Sequence, residues 1–174
     1  MAASWMFLGL SNGIGSGVVI LFITRDLGIA AGYQGMIYAV GGFTSLLGAL
    51  MADRVRRRTG AGNAMVLGLV LGGIGSLLTA ASPSSMIWLA VVLLIATQIV
   101  SDPGITIYDI NLVSLRQSIT PTRLMGRVNS AVRFSGLVAM LLGSLLTVAL
   151  VETLGPRAVV VVSACSTFAG ALLL

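Results

Sequence analysis

The 174-residue sequence contains no histidine and no lysine, and its single cysteine is Cys165. The absence of histidine excludes His-based acid–base catalysis and zinc sites of the HExxH type. The absence of lysine excludes a Schiff-base lysine and a P-loop lysine, and one cysteine can form neither an internal disulfide nor a CxxC metal clip. We therefore expect no enzymatic activity, no metal site and no cofactor.

Charged side chains are also scarce, at 9% of the residues, whereas hydrophobic residues make up 57% and there are 22 glycines. Soluble domains carry about 25% charged residues, so this chain has too few of them to coat a water-soluble globule. Its high hydrophobicity also excludes intrinsic disorder, which requires low hydrophobicity and high net charge. The composition therefore indicates a protein that is surrounded by a lipid bilayer.

Uncharged runs follow one another along the chain, and each is long enough to cross the hydrocarbon core, which takes about 20 helical residues. The run 59–101 is too long for one span, and its Ser-Pro-Ser-Ser segment at 82–85 indicates a turn. The runs are continuous rather than alternating, which favours helices over barrel strands. The sequence therefore predicts an all-α membrane protein with six transmembrane helices, at about 3–24, 33–53, 62–81, 85–108, 128–151 and 157–174.

Arginine is distributed unequally between the two sides of these predicted spans. One side carries Arg54, Arg56, Arg57, Arg58, Arg116, Arg123, Arg127 and Arg133, and the other carries Arg25 and Arg157. The positive-inside rule places the arginine-rich side and both chain ends in the cytoplasm. We expect a multi-pass protein of the plasma (inner) membrane. The arginines that give the net charge of +5 then orient the helices in the membrane, which is also compatible with anchoring by anionic lipid. The charge does not indicate a nucleic-acid partner.

Two loop motifs resemble those of a known transporter family. Residues 49–58 read Ala-Leu-Met-Ala-Asp-Arg-Val-Arg-Arg-Arg. They resemble the Gly-x-x-x-Asp-Arg-x-Gly-Arg-Arg loop of the major facilitator superfamily, with Ala49 and Arg56 at the glycine positions. Residues 115–129, with their Pro-x-x-x-x-Gly-Arg core, look like the loop before helix eleven in the drug-exporter branch. The resemblance implies one six-helix bundle, helices seven to twelve, built as two three-helix inverted repeats.

This resemblance also implies a function. The chain would take part in secondary active transport of a small, amphipathic molecule by alternating access, as a proton-coupled efflux antiporter. Both chain ends look cut from something longer, so the expected partner is a missing N-terminal six-helix half or a second copy. The alternatives are a non-transporting membrane scaffold and a half-transporter that acts through a partner chain. A rhomboid-like intramembrane protease does not fit, because it would need a histidine and the chain has none.

In the family, the Asp–Arg cluster of the first motif ties helices together across the bundle interface and is remade as the transporter rocks. The resemblance therefore implies a set of conformational gate residues, Asp53, Arg54, Arg57 and Arg58. The alternative is a positive-inside signal with one incidental acid. In the second motif we expect a turn and the start of the fifth helix, with Pro121 closing a helix, Gly126 allowing close packing and Arg127 following it.

The fourth span contains an acid followed by Pro-Gly, at Asp102-Pro103-Gly104. An acid at membrane depth costs about 2.5–3.5 kcal/mol on insertion scales and indicates a functional role. Asp before Pro can also cap a helix that restarts there. Three interpretations therefore stay open: a cap or kink, a gate or ion pair, and proton or cation coupling. If the helix continues, Asp102, Asp109 and Arg116 share one face.

Other polar residues lie in the middle of the predicted spans. In the family the first and fourth helices of a bundle line the central cavity, so the resemblance makes Asn12, Tyr38 and Gln98 cavity candidates beside Asp102 and Asp109. The alternative is hydrogen bonding between helices. The small-residue series Gly9-x-x-x-Gly13-x-x-x-Gly17 and Gly68-x-x-x-Gly72 predict close helix packing.

Overall fold

Long apolar runs form helices in this chain because a backbone surrounded by lipid must satisfy its own hydrogen bonds. The computed structural model describes residues 2–174 and contains six α-helices there. They are α1 (Ala2–Leu21), α2 (Ala31–Thr59), α3 (Ala61–Ala81), α4 (Ile87–Ile119), α5 (Met125–Leu154) and α6 (Pro156–Leu172). A π-helical turn at Phe22–Asp26 continues α1, and a short 3-10 turn at Thr122–Leu124 precedes α5.

Five helical stretches within residues 2–174 are long and apolar enough to cross a membrane: α1 with its π-helical turn, α2, α3, α4 and α5. The sixth helix, α6, is apolar but has 17 residues, slightly fewer than the about 20 that cross the hydrocarbon core. No strand occurs among these residues. The prediction of an all-helical chain is therefore confirmed, and its architecture is that of a multi-pass membrane protein.

Two helices extend further at the arginine-rich end than the apolar runs predict. The predicted second helix ends at 53 and α2 ends at Thr59; the predicted fourth helix ends at 108 and α4 ends at Ile119. The additional residues mix apolar side chains with polar and charged ones, and arginine is a good helix former. α2 stops at Gly60 and α4 stops before Pro121, where the backbone can no longer continue a helix. Apolar runs therefore locate the membrane-crossing part and not the helix end.

Gly60 and Gly155 each form the whole connection between two helices. Gly60 joins α2 to α3 with φ 84° and ψ 161°, and Gly155 joins α5 to α6 with φ 80° and ψ 161°. Only glycine adopts such a positive φ at no steric cost. The second and fifth helices are therefore joined to the next helix by the same backbone conformation.

The helices at the centre of the bundle are α1 and α4. α1 packs against α5 and α6, α4 packs against α2 and α3, and α3 packs against α6. The two halves of the chain pack in the same way: each contact of α1, α2 or α3 has a counterpart in which α4, α5 or α6 takes the corresponding part. α1 and α4 are not among the closely packed pairs of described helices, and a groove lies between them.

Glycines bring the packed helices into backbone contact. A Cβ on Gly9 would come within 2.5 Å of the Gly136 carbonyl oxygen, and a Cβ on Gly68 would come within 2.5 Å of the Gly104 carbonyl oxygen. Gly17 has nothing within 4 Å of such a Cβ. The prediction of close packing is confirmed for Gly9 and Gly68 and is wrong for Gly17.

Two apolar clusters of buried residues lie at opposite ends of the groove. The cluster away from the arginine-rich end consists of Phe22, Ile23, Leu27, Ile29, Ile37, Ala90 and Leu94. The cluster nearer that end consists of Leu8, Met65, Leu69, Tyr108, Leu112 and Ala171. The middle of the groove is therefore bounded above and below by packed apolar side chains.

Candidate functional site

The central groove consists of two adjoining cavities between α1 and α4, with volumes of about 390 Å³ and 140 Å³. The two cavities share a set of lining residues, Val19, Tyr38, Ser76, Ser101 and Ser163. These come from α1, α2, α3, α4 and α6, so five helices build one site. The groove lies at the middle of α1 and α4.

The groove is polar but carries no charge. Its polar lining consists of Ser11, Asn12, Ser16, Tyr38, Ser76, Thr79, Thr97, Gln98, Ser101, Ser163 and Thr167. None of the described lining residues is acidic or basic. The remaining lining side chains are apolar. Hydroxyl and amide groups beside apolar surface suit a molecule that is uncharged and partly apolar where it enters the groove.

Some of these hydroxyls tie the helices together. The Ser11 hydroxyl donates to the Ser163 carbonyl oxygen at 2.8 Å, and its oxygen lies 2.9 Å from Ser163 Oγ and 2.7 Å from Thr167 Oγ1. These bonds join α1 to α6. At the other side of the groove the Thr97 hydroxyl donates to the Gly75 carbonyl oxygen at 3.1 Å and joins α4 to α3. Interhelical hydrogen bonds are thus made by hydroxyls that the sequence did not single out.

Other groove residues have polar side chains that are not used within the chain. Asn12, Ser16, Tyr38, Gln98 and Ser101 make no side-chain hydrogen bond to other described residues. Tyr38 is 44% exposed, and Asn12 and Ser16 are also exposed. Asn12, Tyr38 and Gln98 were the predicted cavity candidates, and the structure brings all three to the central groove. Ser16 is a mid-span polar residue of the first predicted helix, but neither it nor Ser101 was among the cavity candidates.

Asp102 lies beside the groove and does not line either of its cavities. It is half-buried and faces α2, where a Cβ on Gly41 would meet both Asp102 Oδ2 and Gln98 Nε2. α4 is continuous through Pro103. Asp102 is therefore not the N-cap of a restarted helix, and the broken-helix interpretation is wrong.

α2 packs closely against α4 around Pro103. Proline has no N–H for the carbonyl of Ile99, one turn before it. The Thr44 hydroxyl of α2 donates to the neighbouring Gln98 carbonyl oxygen at 2.9 Å. Gly48 leaves room for the proline ring, since a Cβ there would come within 2.5 Å of the Pro103 Cα.

Asp109 and Arg116 lie further along α4, away from the central groove. With Trp5, Leu112, Val113 and Arg133 they line a separate cavity of about 260 Å³ between α1, α4 and α5. They form no ion pair with each other, since the only ion pairs among the described residues are those of Asp53. Asp102, Asp109 and Arg116 therefore share one face of α4 without forming an ion pair with one another.

The Asp53 cluster is exposed and its ion pairs stay within α2. Asp53 Oδ1 accepts a hydrogen bond from Arg56 at 2.7 Å, and Oδ2 accepts from Arg57 Nε at 2.7 Å. Arg54 and Arg58 lie beside it on the same surface with Leu50 and Met51. Among residues 2–174 the cluster connects α2 to no other helix. Arg56, which occupies a glycine position of the motif, donates to one of the two carboxylate oxygens of Asp53.

The second loop motif forms a turn, as predicted. The Thr120 N–H closes α4 on the Arg116 carbonyl oxygen at 3.1 Å, and Leu124 N–H donates to the Pro121 carbonyl oxygen at 2.8 Å. Arg127 is exposed in the first turn of α5. Gly126 is also exposed, and a Cβ there would meet nothing within 4 Å. The prediction that Gly126 allows close packing is therefore wrong for this chain.

A contact at the opposite end of the bundle was not predicted. The Arg157 guanidinium at the start of α6 donates to the Ser82 carbonyl oxygen at the end of α3 and lies 5.8 Å from the centre of the Phe22 ring. A cation near a helix C-terminus is favourable. The isolated arginine after Gly155-Pro156 was the available sequence signal.

Neither a protein-family model nor a curated protein matches the chain.

Proposed function

We propose that this chain is one six-helix bundle of a secondary transporter that exports a small amphipathic molecule by alternating access. The observation that carries the proposal is the set of unused polar groups in the central groove: Asn12, Ser16, Tyr38, Gln98 and Ser101. A polar group at membrane depth is costly unless it has a partner. A substrate with hydroxyl, carbonyl or amide groups supplies such partners.

The proposed fold is that of one major facilitator superfamily bundle with two inverted three-helix repeats. The exchangeable packing pattern of α1–α3 and α4–α6 supports it. So does glycine placement, because the spacing along the chain is identical between Gly41 and Gly136, Gly48 and Gly143, and Gly60 and Gly155. Three helices per repeat make the second repeat run in the opposite direction, which is the arrangement that allows a bundle to rock around a midplane site.

A partner bundle would cover the open side of the groove. Tyr38, Asn12 and Ser16 are exposed there, and exposed polar groups in the hydrocarbon core are expensive. The partner is an N-terminal six-helix half or a second copy of this chain. The bundle would lie in the plasma membrane with both termini in the cytoplasm, as the arginine distribution indicates.

Two charged sites would control the cycle in this proposal. The Asp53 cluster, with Arg54, Arg57 and Arg58, would act as the conformational gate by exchanging its local ion pairs for contacts with the partner. Asp102 is the candidate for proton coupling because it is half-buried next to Gln98 of the groove. Asp109 is the second candidate, at the arginine-rich end of α4.

Dye export tests the proposal. Membrane vesicles that contain the chain are loaded with Nile red, which is neutral and amphipathic, and with the cation ethidium in a parallel sample. We expect faster loss of Nile red than in vesicles without the chain. Asn12→Leu and Ser101→Leu should abolish the difference, and the matched control Ser114→Leu, on the exposed side of α4 and outside the groove, should keep it.

Equal retention of both dyes with and without the chain would contradict a transporter formed by two copies of it. Equal retention that persists when an N-terminal six-helix half is also present would contradict the proposal as a whole and favour a membrane scaffold that binds partners and transports nothing. Export that appears only with such a half would identify it as the partner bundle.

A further inference from the structure

A second polar cavity lies apart from the central groove, at the arginine-rich end of the bundle. It has a volume of about 260 Å³ and is lined by Trp5, Asp109, Leu112, Val113, Arg116 and Arg133. We call it the arginine cavity. It shares no lining residue with the central groove, so its polar groups need an explanation of their own.

Three polar atoms in this cavity's lining residues are buried and make no hydrogen bond to the described residues. They are Trp5 Nε1, Arg116 Nε and Asp109 Oδ1. Nearly all buried polar groups in folded proteins have a partner. The charged side chains of the lining, Asp109, Arg116 and Arg133, also have no ion-pair partner among the described residues.

An apolar cavity of about 310 Å³ adjoins the arginine cavity. Both are lined by Trp5 and Arg133, and the apolar one continues between α1 and α5 past Gly9, Gly136 and Met140. It shares Leu8 and Asn12 with the central groove. The Trp5 indole lies against Gly136, where a Cβ would meet Nε1. A polar compartment and an apolar compartment thus meet at one tryptophan and one arginine.

We propose that these two compartments bind one anionic phospholipid. Two guanidiniums and one carboxylate give the arginine cavity a net positive charge, which a phosphodiester monoanion balances. Arginine binds phosphate oxygens in a planar, two-pronged geometry, so the phosphate lies between Arg116 and Arg133. A headgroup hydroxyl, as in phosphatidylglycerol, donates to the Asp109 carboxylate, and one acyl chain enters the apolar cavity beside Trp5.

The position of the site agrees with the lipid it would bind. Tryptophan and arginine are both enriched where helices leave the hydrocarbon core, and anionic lipids attract arginine at the cytoplasmic surface. Arg123, by contrast, is exposed in the turn before α5 and lines neither compartment. Lipid binding at this site does not require that the chain transports anything.

Tryptophan fluorescence tests the proposal, because the chain has two tryptophans. The Trp88→Phe variant leaves Trp5 as the only one. It is placed in phosphatidylcholine vesicles that contain a fixed minor fraction of lipid brominated on its acyl chain, with a phosphatidylglycerol, phosphatidylethanolamine or phosphatidylcholine headgroup. Bound brominated chains quench Trp5. We expect quenching by the phosphatidylglycerol form to be about twofold stronger than by the other two.

Two variants and one competition assign the effect to the site. Arg116→Gln and Arg133→Gln should remove the headgroup preference, whereas Arg123→Gln removes the same charge and should keep it. Because the first two variants could fail to fold, unbrominated phosphatidylglycerol is also added to the Trp88→Phe protein, and it should restore Trp5 emission. Equal quenching by all three headgroups would overturn the proposal. Restoration by sodium phosphate alone would also overturn it, because it would show a free-anion site.

Discussion

Gly48 of α2 and Pro103 of α4 are in backbone contact, so close that a Cβ on Gly48 would come within 2.5 Å of the Pro103 Cα. Gly143 of α5 makes the corresponding contact in the other half, where a Cβ would come within 2.5 Å of the Leu10 carbonyl oxygen. α2 and α5 therefore each pack against a central helix at a glycine, and the position of the two central helices on either side of the groove depends on this close packing.

Gly48→Leu should destabilise the bundle by about 1–3 kcal/mol, because a larger side chain in a filled interface forces the backbones apart. Thermal unfolding in detergent measures the loss. Gly42→Leu is the matched control in the same helix, since a Cβ at Gly42 meets nothing within 4 Å. An equal decrease in melting temperature for both variants would show that leucine propensity, and not the Pro103 contact, causes the effect.

The Ser11 hydroxyl should be coupled energetically to Ser163. Hydrogen bonds between membrane helices contribute about 0.6 kcal/mol on average, and Ser11 and Ser163 lie in direct contact. A double-mutant cycle of Ser11→Ala and Ser163→Ala should therefore give a coupling energy of about 0.6–1.7 kcal/mol. Pairing Ser11→Ala with Ser130→Ala, at an exposed position of α5, should give none. Additive losses in the first pair would contradict the hydroxyl contact.

Arg157→Gln should weaken the end of the bundle where α1, α3 and α6 meet. The guanidinium loses its contact with the Phe22 ring, worth about 0.5–1 kcal/mol at an exposed site, and its hydrogen bond to Ser82. Hydrogen exchange of the Ser82 amide, which donates to the Thr79 carbonyl oxygen, should become faster. Arg25→Gln removes the same charge at the same end and should leave this exchange unchanged. Faster exchange in both variants would point to net charge as the cause.

Asp53→Asn separates a structural role from a gating role. Both ion pairs of Asp53 are exposed and lie within α2, and such pairs contribute little to stability. We therefore expect an unchanged melting temperature. If the cluster is a gate, Nile red export should fall about tenfold or more, the equivalent of about 1.4 kcal/mol. The control is Glu152→Gln, which changes an exposed acid at the opposite end of the bundle and should leave both the melting temperature and the export rate unchanged. Unaltered export in Asp53→Asn would contradict the gating role of this cluster.

The sequence predicts the parts of this fold that depend on local composition. Continuous apolar runs predict the helices, and mid-span polar residues such as Asn12 and Gln98 are found in the groove. The long end of α4 was missed because hydropathy reports lipid contact, whereas helix ends depend on breakers such as Pro121. The two repeats that the family resemblance implies leave no convincing residue-level repeat in the sequence, since only a few glycines such as Gly41 and Gly136 recur at the same spacing, with different side chains between them.

The contacts between distant segments could not be predicted from the sequence. Ser11 meets Ser163, and Arg157 meets Ser82, only because α6 returns beside α1 and α3. In the sequence each of these residues stands alone in an apolar or loop context. The Asp53 motif shows the opposite problem: its residues were recognised, but its ion pairs within residues 2–174 are formed inside one helix.

The most direct test of transport through the central groove is the accessibility of a cysteine at Ser16 from both sides of the membrane. In a Cys165→Ala background, Ser16→Cys is exposed to a membrane-impermeant thiol reagent in right-side-out and in inverted vesicles. We predict modification from both sides, with Nile red increasing the rate from one side and decreasing it from the other. Modification from one side only, at a rate that Nile red does not change, would contradict alternating access.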